Sequence, residues 1–530
     1  MKNNWLNILS IVVLSAAGSL TAAEPPKTNR PNIVIIMTDD QRWDSLGCYG
    51  DKVVKTPNID MLAKEGTRFE NAFAVDMLCC PSRTSFFTGN YASRRRCFDN
   101  SPKSELKAGQ FSFIEPLKSA GYRIGLSGKN HAFQPDYVKK DFDFFQEYSP
   151  WGKDEAELGS MNPSDKAVRD FLNNSGPKSS LGHKLLEGLI DFPEPFPEKQ
   201  CMTSRIADDA IAFVEQSGDK PFFLHMAFPA PHWPNIVCEP YFSMYKQQLD
   251  QISLAGMDDI DWDTHPFAHY VQSQCAGFDT MSKTDRRKLL AVMYGQISFI
   301  DKSVGRLVEA LKQKGVYDNT LIVFTADQGC FGGQFGLPCK TKGFYEPLLR
   351  IPLVIKMPGN HDLGKVTPAQ IENIDVMPTI LQFAGVSYSE KIDGQSFLPV
   401  LQGKTDRHRD TIYSEVGEPV MPPAPMPKSE YTAYNKKRSV DDMFWFIEYT
   451  THGRCAMIRE DGWKYCFYNG DLEELYYYDQ DPLELTNLAT NPKLQARKEA
   501  MKKKLFAQGF VGISDKGSPQ PVNSGAELKR

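Results

Sequence analysis

Asn32-Ile33-Val34-Ile35-Ile36-Met37 is an apolar, largely β-branched run of strand length. It shows no polar alternation, as expected of a parallel strand buried on both faces. The run ends in Thr38-Asp39-Asp40, and a second such run, Asn319-Thr320-Leu321-Ile322-Val323-Phe324, ends in Thr325-Ala326-Asp327-Gln328. Parallel strands put their C-terminal ends on one rim of a sheet, where α/β proteins place ligands, so the two runs predict that these acids meet. Pro221 to Phe228 and Tyr122 to Leu126 read as further strands, and a helix is predicted over 204–216. Leu289, Val292, Met293, Ile297, Ile300, Val304, Leu307, Val308 and Leu311 recur at helical spacing. They predict a long amphipathic helix that ends near Gly315 and feeds the second run, which is the βαβ pattern.

From about residue 405 the pattern changes. Arg459 to Tyr468 and Glu474 to Asp479, separated by Asn469-Gly470-Asp471, read as antiparallel strands joined by a tight turn. A helix over 491–508 closes this smaller unit. The fold class is therefore α/β, with a large, mostly parallel sheet flanked by helices and a smaller C-terminal α+β subdomain containing an antiparallel sheet. The expected division is 1–23 as a leader, 24–404 as the main domain and 405–530 as the C-terminal subdomain. Stretches 150–200 and 236–285, rich in Pro, Gly, Ser and Asp, read as surface excursions of the kind that carry specificity.

Composition narrows the class. With 41% hydrophobic and 24% charged residues in 530, the chain has ample material for a large core, and its net charge of -5 argues against general binding of nucleic-acid backbones. Met1-Lys2-Asn3-Asn4, an apolar stretch from Leu6 to Ala17, and Leu20-Thr21-Ala22-Ala23 match a secretory leader cleaved after Ala23. A periplasmic or secreted location is expected, with no integral membrane segment after cleavage. Eleven cysteines in an exported chain permit disulfides, and Cys330 with Cys339 and Cys455 with Cys466 are candidate pairs.

The candidate chemistry starts from the rim acids. Asp39, Asp40, Asp327 and Gln328 offer only oxygen ligands, which suits a hard cation, Ca²⁺ or Mg²⁺, and not zinc. Cys79-Cys80-Pro81-Ser82-Arg83, continuing Thr84-Ser85-Phe86-Phe87-Thr88-Gly89, is a cysteine two residues before a proline, followed by Ser-Arg and closed by Thr-Gly. If this motif opens a helix, Arg83 lies on the face of Cys79, one turn on. The string resembles the signature of the type I, formylglycine-dependent sulfatase family of the alkaline phosphatase superfamily, with Met77 where a small residue is common.

The resemblance implies that Cys79 is converted to formylglycine by a formylglycine-generating maturation enzyme. The hydrated aldehyde then attacks sulfur with one hydroxyl and expels sulfate with the other. It also implies that Asp39, Asp40, Asp327 and Gln328 hold the metal, Gln328 standing where Asn or His is usual. Gly128-Lys129-Asn130-His131 resembles the family's Gly-Lys-x-His string, with Lys129 stabilising the nucleophile and His131 as the base that collapses the intermediate. Pro231-His232-Trp233-Pro234 resembles its Pro-His-x-Pro loop and makes His232 the acid for the leaving oxygen or a sulfate-binding donor. Lys340, with Lys342 as the alternative, is the sulfate-contacting lysine ahead of Tyr345-Glu346. Arg94-Arg95-Arg96 lies where it could reach a second anionic group of a polysaccharide. The implied activity is hydrolysis of sulfate esters, with a sulfated carbohydrate as partner. The alternatives are a phosphodiesterase or phosphonate monoester hydrolase of the same superfamily, or a non-catalytic binder of sulfated glycans.

Overall fold

The computed structural model describes residues 30–148, 197–232, 235–254, 282–337, 343–359, 364–417, 454–469 and 471–508, with Lys340 and short pieces between 256 and 266. The leader and most of the 150–200 excursion lie outside these residues. In chain order the main sheet comprises β1 (Asn32–Thr38), β2 (Thr67–Phe73), β3 (Arg123–Gly128), β4 (Phe144–Glu147), β5 (Phe222–Phe228), β6 (Thr320–Ala326), β7 (Arg350–Ile351), β8 (Leu353–Lys356) and β9 (Lys365–Glu372). Their spatial order is β4-β3-β5-β1-β6-β8-β2-β7, with β9 on β2. The five strands from β4 to β6 in that order are parallel to their neighbours, whereas β8 runs antiparallel to β6 and β2.

The apolar run of β1 is unbroken because both of its faces are covered. Ile33, Ile35 and Met37 join a core with Phe86, Phe87 and Phe133, while Val34 and Ile36 join a second core with Ile206, Phe213, Ile300 and Val304. The second set comes from two expected helices, Met202–Glu215 and Lys283–Gln313, the longer of them marked by its periodicity. Ser282 caps the longer one by accepting from the Asp285 N–H. Burying one such aliphatic side chain stabilises the fold by roughly 1.5–3 kcal/mol, so the layered core fixes where the strands end. Register then decides what lies at the rim. Thr38 is level with Phe228 and with Ala326, and Gly128 is level with Ala227. Four adjacent strands, β3-β5-β1-β6, therefore stop together and release Lys129, Pro229, Asp39 and Asp327.

The second sheet, of order β10-β11-β12-β13, is antiparallel and comprises β10 (Ile412–Val416), β11 (Cys455–Glu460), β12 (Trp463–Tyr468) and β13 (Glu474–Tyr477). The stretch read as one strand from Arg459 is broken at Asp461-Gly462. Both residues have positive φ, 48° and 79°, which is the Asp-Gly hairpin turn between β11 and β12. Cys455 pairs with Tyr468 and Cys466 with Met457, so these two cysteines are out of register and form no bond to each other. Cys339 lies outside the described residues. The helix Gln495–Ala507 covers this sheet with Met501 and Leu505. Among the described residues no helix is long and apolar enough to cross a membrane.

The close packing of β3 on β5 depends on one glycine. Gly128 has φ 116°, and a Cβ there would lie 1.7 Å from the Ala227 carbonyl oxygen. Gly128→Ala is expected to destabilise the fold by about 2–4 kcal/mol through strain and overpacking, read as a lower melting temperature. An unchanged melting temperature would show that the β3 end has room to move.

Candidate active site

The signature opens the helix Cys79–Thr88, whose every residue is buried. Its N-terminus faces the rim formed by β1 and β6, and this brings residues forty and more positions apart into contact. Lys340 Nζ lies 2.8 Å from Cys79 Sγ and 2.7 Å from Asp40 Oδ1. Gln328 Nε2 lies 3.2 Å from the same sulfur and donates to Asp40 Oδ1 at 2.6 Å and Asp39 Oδ1 at 3.3 Å. The Cys79 thiol is 3.4 Å from Asp39 Oδ1.

Arg83 lies one turn along the same helix face, as the spacing predicts, and is fully buried. Its Nε donates to Asp327 Oδ2 at 2.8 Å, its Nη1 to the Lys129 carbonyl at 3.1 Å, and its Nη2 is 3.5 Å from Asp39 Oδ2. Lys129 Nζ takes the same Asp39 oxygen. His232 Nε2 is 3.7 Å from Asp40 Oδ2. His131, in left-handed backbone at φ 52°, places Nε2 3.2 Å from the Asn100 carbonyl oxygen. Asp40 is also left-handed, at φ 57°, with its N–H donating to Asp327 Oδ1 at 3.3 Å. Two non-glycine residues held there by their surroundings are a mark of a functional site.

The electrostatics follow from burial. Asp39, Asp40 and Asp327 are at most 2% exposed, and three carboxylates this close cannot ionise independently. Burial raises Asp39, but Lys129, His232, Lys340 and Arg83 hold it well below the usual carboxylate range. Burial and the Asp39 charge push Asp327 up to about 8. For Cys79, burial and Asp39 oppose ionisation, yet Lys129, Lys340 and His131 pull the thiol well below its ordinary value. Burial lowers His131, which is therefore neutral at pH 7. Burial and Lys340 also oppose charge on His232, but Asp40 and Asp39 raise it overall. The two histidines are thus set in opposite directions, the arrangement that separates a base from an acid.

Ligand atoms of Asp39, Asp40, Cys79 and His232 lie within 4.8 Å of one another, an acidic cluster that could hold a metal ion. Gln328 Oε1 is buried with no hydrogen-bond partner, and turning that amide end for end would present its oxygen beside Asp40.

Not every candidate converges. Arg94 pairs with Asp393, and Arg95 lies 3.4 Å from Glu390, so both already have anionic partners. Lys342 lies outside the described residues. His225 of β5, not one of the candidates, is a core residue packed edge-on against Phe87, with burial lowering it to about 3. Asn100, which meets both the Cys80 N–H at 3.0 Å and His131, belongs to no motif. Its only sequence signal is its position shortly after the signature.

Residues 31–386 match the family described as Sulfatase. The chain is 28% identical over 480 residues to a choline-sulfatase of Rhizobium meliloti, covering 88% of this chain and 84% of the relative. It is 29% identical over 538 residues to an N-acetylglucosamine-6-O-sulfatase of Bacteroides thetaiotaomicron, covering 92% and 88%. In fold it is similar to a phosphonate monoester hydrolase of Agrobacterium radiobacter, with TM-score 0.67, 24% identity, and 93% and 100% of the two chains covered. It is likewise similar to a protein solved in complex with its substrate D-glucosamine-2-N,6-O-disulfate, with TM-score 0.70, 22% identity, and coverages of 90% and 97%.

Arg83 is the group whose loss the site should tolerate least. Arg83→Met leaves Asp327 and Asp39 buried without their shared cation and is expected to destabilise the protein by about 3–5 kcal/mol. Urea unfolding measures it. A loss under about 1 kcal/mol would mean that the lysines alone balance these carboxylates.

Proposed function

This chain belongs to the sulfatase family and is a sulfuric ester hydrolase, and we propose that it is exported and acts on carbohydrate sulfates through residue 79 as formylglycine. The observation that carries this reading is the convergence of Lys340, Gln328 and Asp39 on the Cys79 sulfur, with Arg83 and Lys129 tied to the same carboxylates. Export rests on the N-terminal leader pattern. A carbohydrate ester is supported by the Bacteroides relative, named for N-acetylglucosamine 6-O-sulfate.

As formylglycine, residue 79 would supply a hydrated aldehyde whose two hydroxyls suit attack on sulfur and release of sulfate. Asp39, Asp40, Asp327 and Gln328 would hold Ca²⁺ or Mg²⁺, which would supply charge for the sulfuryl oxygens. Arg83, Lys129 and Lys340 carry three positive charges against the three carboxylates, so a divalent cation leaves the pocket positive, as an anionic ester requires. Lys340 binds sulfuryl oxygens, and Lys129 stabilises the nucleophile at residue 79. Against burial and Lys340, Asp40 and Asp39 raise the pKa of His232, which would give its proton to the leaving oxygen. His131, neutral and with Nε2 turned to the Asn100 carbonyl, takes a proton at residue 79 through Nδ1.

The phosphonate monoester hydrolase likeness keeps a second reading in play, and paired assays separate the two. With sulfate and phosphonate monoesters of one alcohol, kcat/KM is expected to favour the sulfate by at least about tenfold, a difference of about 1.4 kcal/mol in barrier. A reversed preference would assign the chain to phosphonate chemistry. His131→Ala should accumulate enzyme heavier by one sulfuryl group. His232→Ala should lose roughly 100-fold or more on sugar sulfates, and far less on aryl sulfates, whose leaving oxygen needs no proton. Identical behaviour of the two variants contradicts this division of labour. Chelation should lower both activity and melting temperature, and added Ca²⁺ or Mg²⁺ should restore them; full activity in metal-free protein contradicts the cation's role.

A further inference from the structure

The signature helix carries a second thiol that hydrolysis does not use. Cys80 Sγ lies 3.8 Å from Cys97 Sγ, and the two residues are 0% and 1% exposed. Cys97 follows Arg96, whose φ of 56° turns the chain back after the short helix Ala92–Arg95, and its N–H donates to the Ala92 carbonyl at 3.0 Å. Three residues further on, Asn100 accepts the Cys80 N–H through Oδ1 at 3.0 Å and meets His131 Nε2 through its carbonyl oxygen at 3.2 Å. The stretch 97–100 is thus a strap laid over the start of the signature helix, touching the neighbour of residue 79 at one point and His131 at another.

We propose that Cys80 and Cys97 form a disulfide that fastens this strap to the signature helix and so fixes the carbonyl against which His131 is set. Two buried sulfurs separated by 3.8 Å need to close by less than about 2 Å to reach the S–S bonding distance. Each thiol gives up one proton and one electron. The acceptor is a small disulfide such as oxidised glutathione: one thiolate attacks it to give a mixed disulfide and one free thiol, and the second displaces the other thiol. Both thiols are buried, at 0% and 1% exposure, so the disulfide acceptor reaches them while the chain folds. Asn100 is a positioning residue here, acting through His131. This consequence for catalysis rests on the role given to His131 above, whereas the bond itself does not.

The test uses full-length protein exported to an oxidising compartment, or refolded with oxidised and reduced glutathione, then denatured in an alkylating reagent with no reductant. Peptide mapping is expected to show the Cys80 and Cys97 peptides as one species, two hydrogens lighter than their sum and absent after reduction. Both thiols fully alkylated without reduction would overturn the proposal. Cys97→Ser is expected to lower the melting temperature by roughly 2–5 °C and kcat by about 3- to 10-fold, with KM within about twofold, as for a base that has lost its setting. If that variant does not fold, refolding the natural chain with excess reductant should give the same losses. A crosslink whose removal leaves kcat unchanged would overturn the strap's hold on His131. A crosslink found in protein inactive on every sulfate ester would leave the bond established and refute the sulfatase reading instead.

Discussion

Arg83 is wedged, without solvent contact, between Asp327 of one strand end and Asp39 of the next, and the rest of the site is arranged around that wedge. Parallel strands that stop in register deliver their acids to one place, and three buried carboxylates at one rim repel each other strongly. A helix that brings a guanidinium in from the opposite side relieves the repulsion and, one turn earlier, carries residue 79 to the same spot. Residue 79, the proposed nucleophile, is placed by the same helix that balances the acids. This explains why the signature couples a cysteine to an arginine four positions on, and why the whole helix is buried.

The small C-terminal sheet belongs to the same construction. Lys464 donates to the Phe344 carbonyl at 2.6 Å, Glu346 faces Arg459 at 3.3 Å, and the Glu346 N–H donates to Glu484 at 2.8 Å. Tyr345, Tyr468 and Tyr476 all donate to the Glu474 carboxylate at 2.7–2.8 Å. These bonds pin residues 344–346, a few positions after Lys340. An isolated lysine on a long loop would spend side-chain entropy to reach the sulfur. Anchoring the chain just beyond it limits that loss.

Much of this was legible in the sequence because burial on both faces leaves a plain mark. The apolar runs of β1 and β6 and the periodicity of Lys283–Gln313 mapped onto elements within a residue or two at most ends, and the acids after those runs did converge. The antiparallel half of the sheet was not legible. Thr-Arg-Phe-Glu-Asn-Ala-Phe of β2 mixes polar and apolar residues without strict alternation, since its partners cover it unevenly. Reading Arg459 to Tyr468 as one strand overlooked Asp461-Gly462, whose positive φ values make a hairpin. Asn100 could not be read at all. Its bond to His131 uses a backbone carbonyl, which any residue supplies, so no side-chain pattern marks it.

The central claim is that turnover belongs to residue 79 in a form other than cysteine. A peptide mass spectrum of that residue in preparations of graded specific activity tests it directly. Activity is predicted to rise in proportion to the fraction of chains in which the Cys79 thiol has been replaced by an aldehyde, while Cys80 keeps its sulfur. Full activity in chains whose Cys79 is an intact thiol would contradict the account.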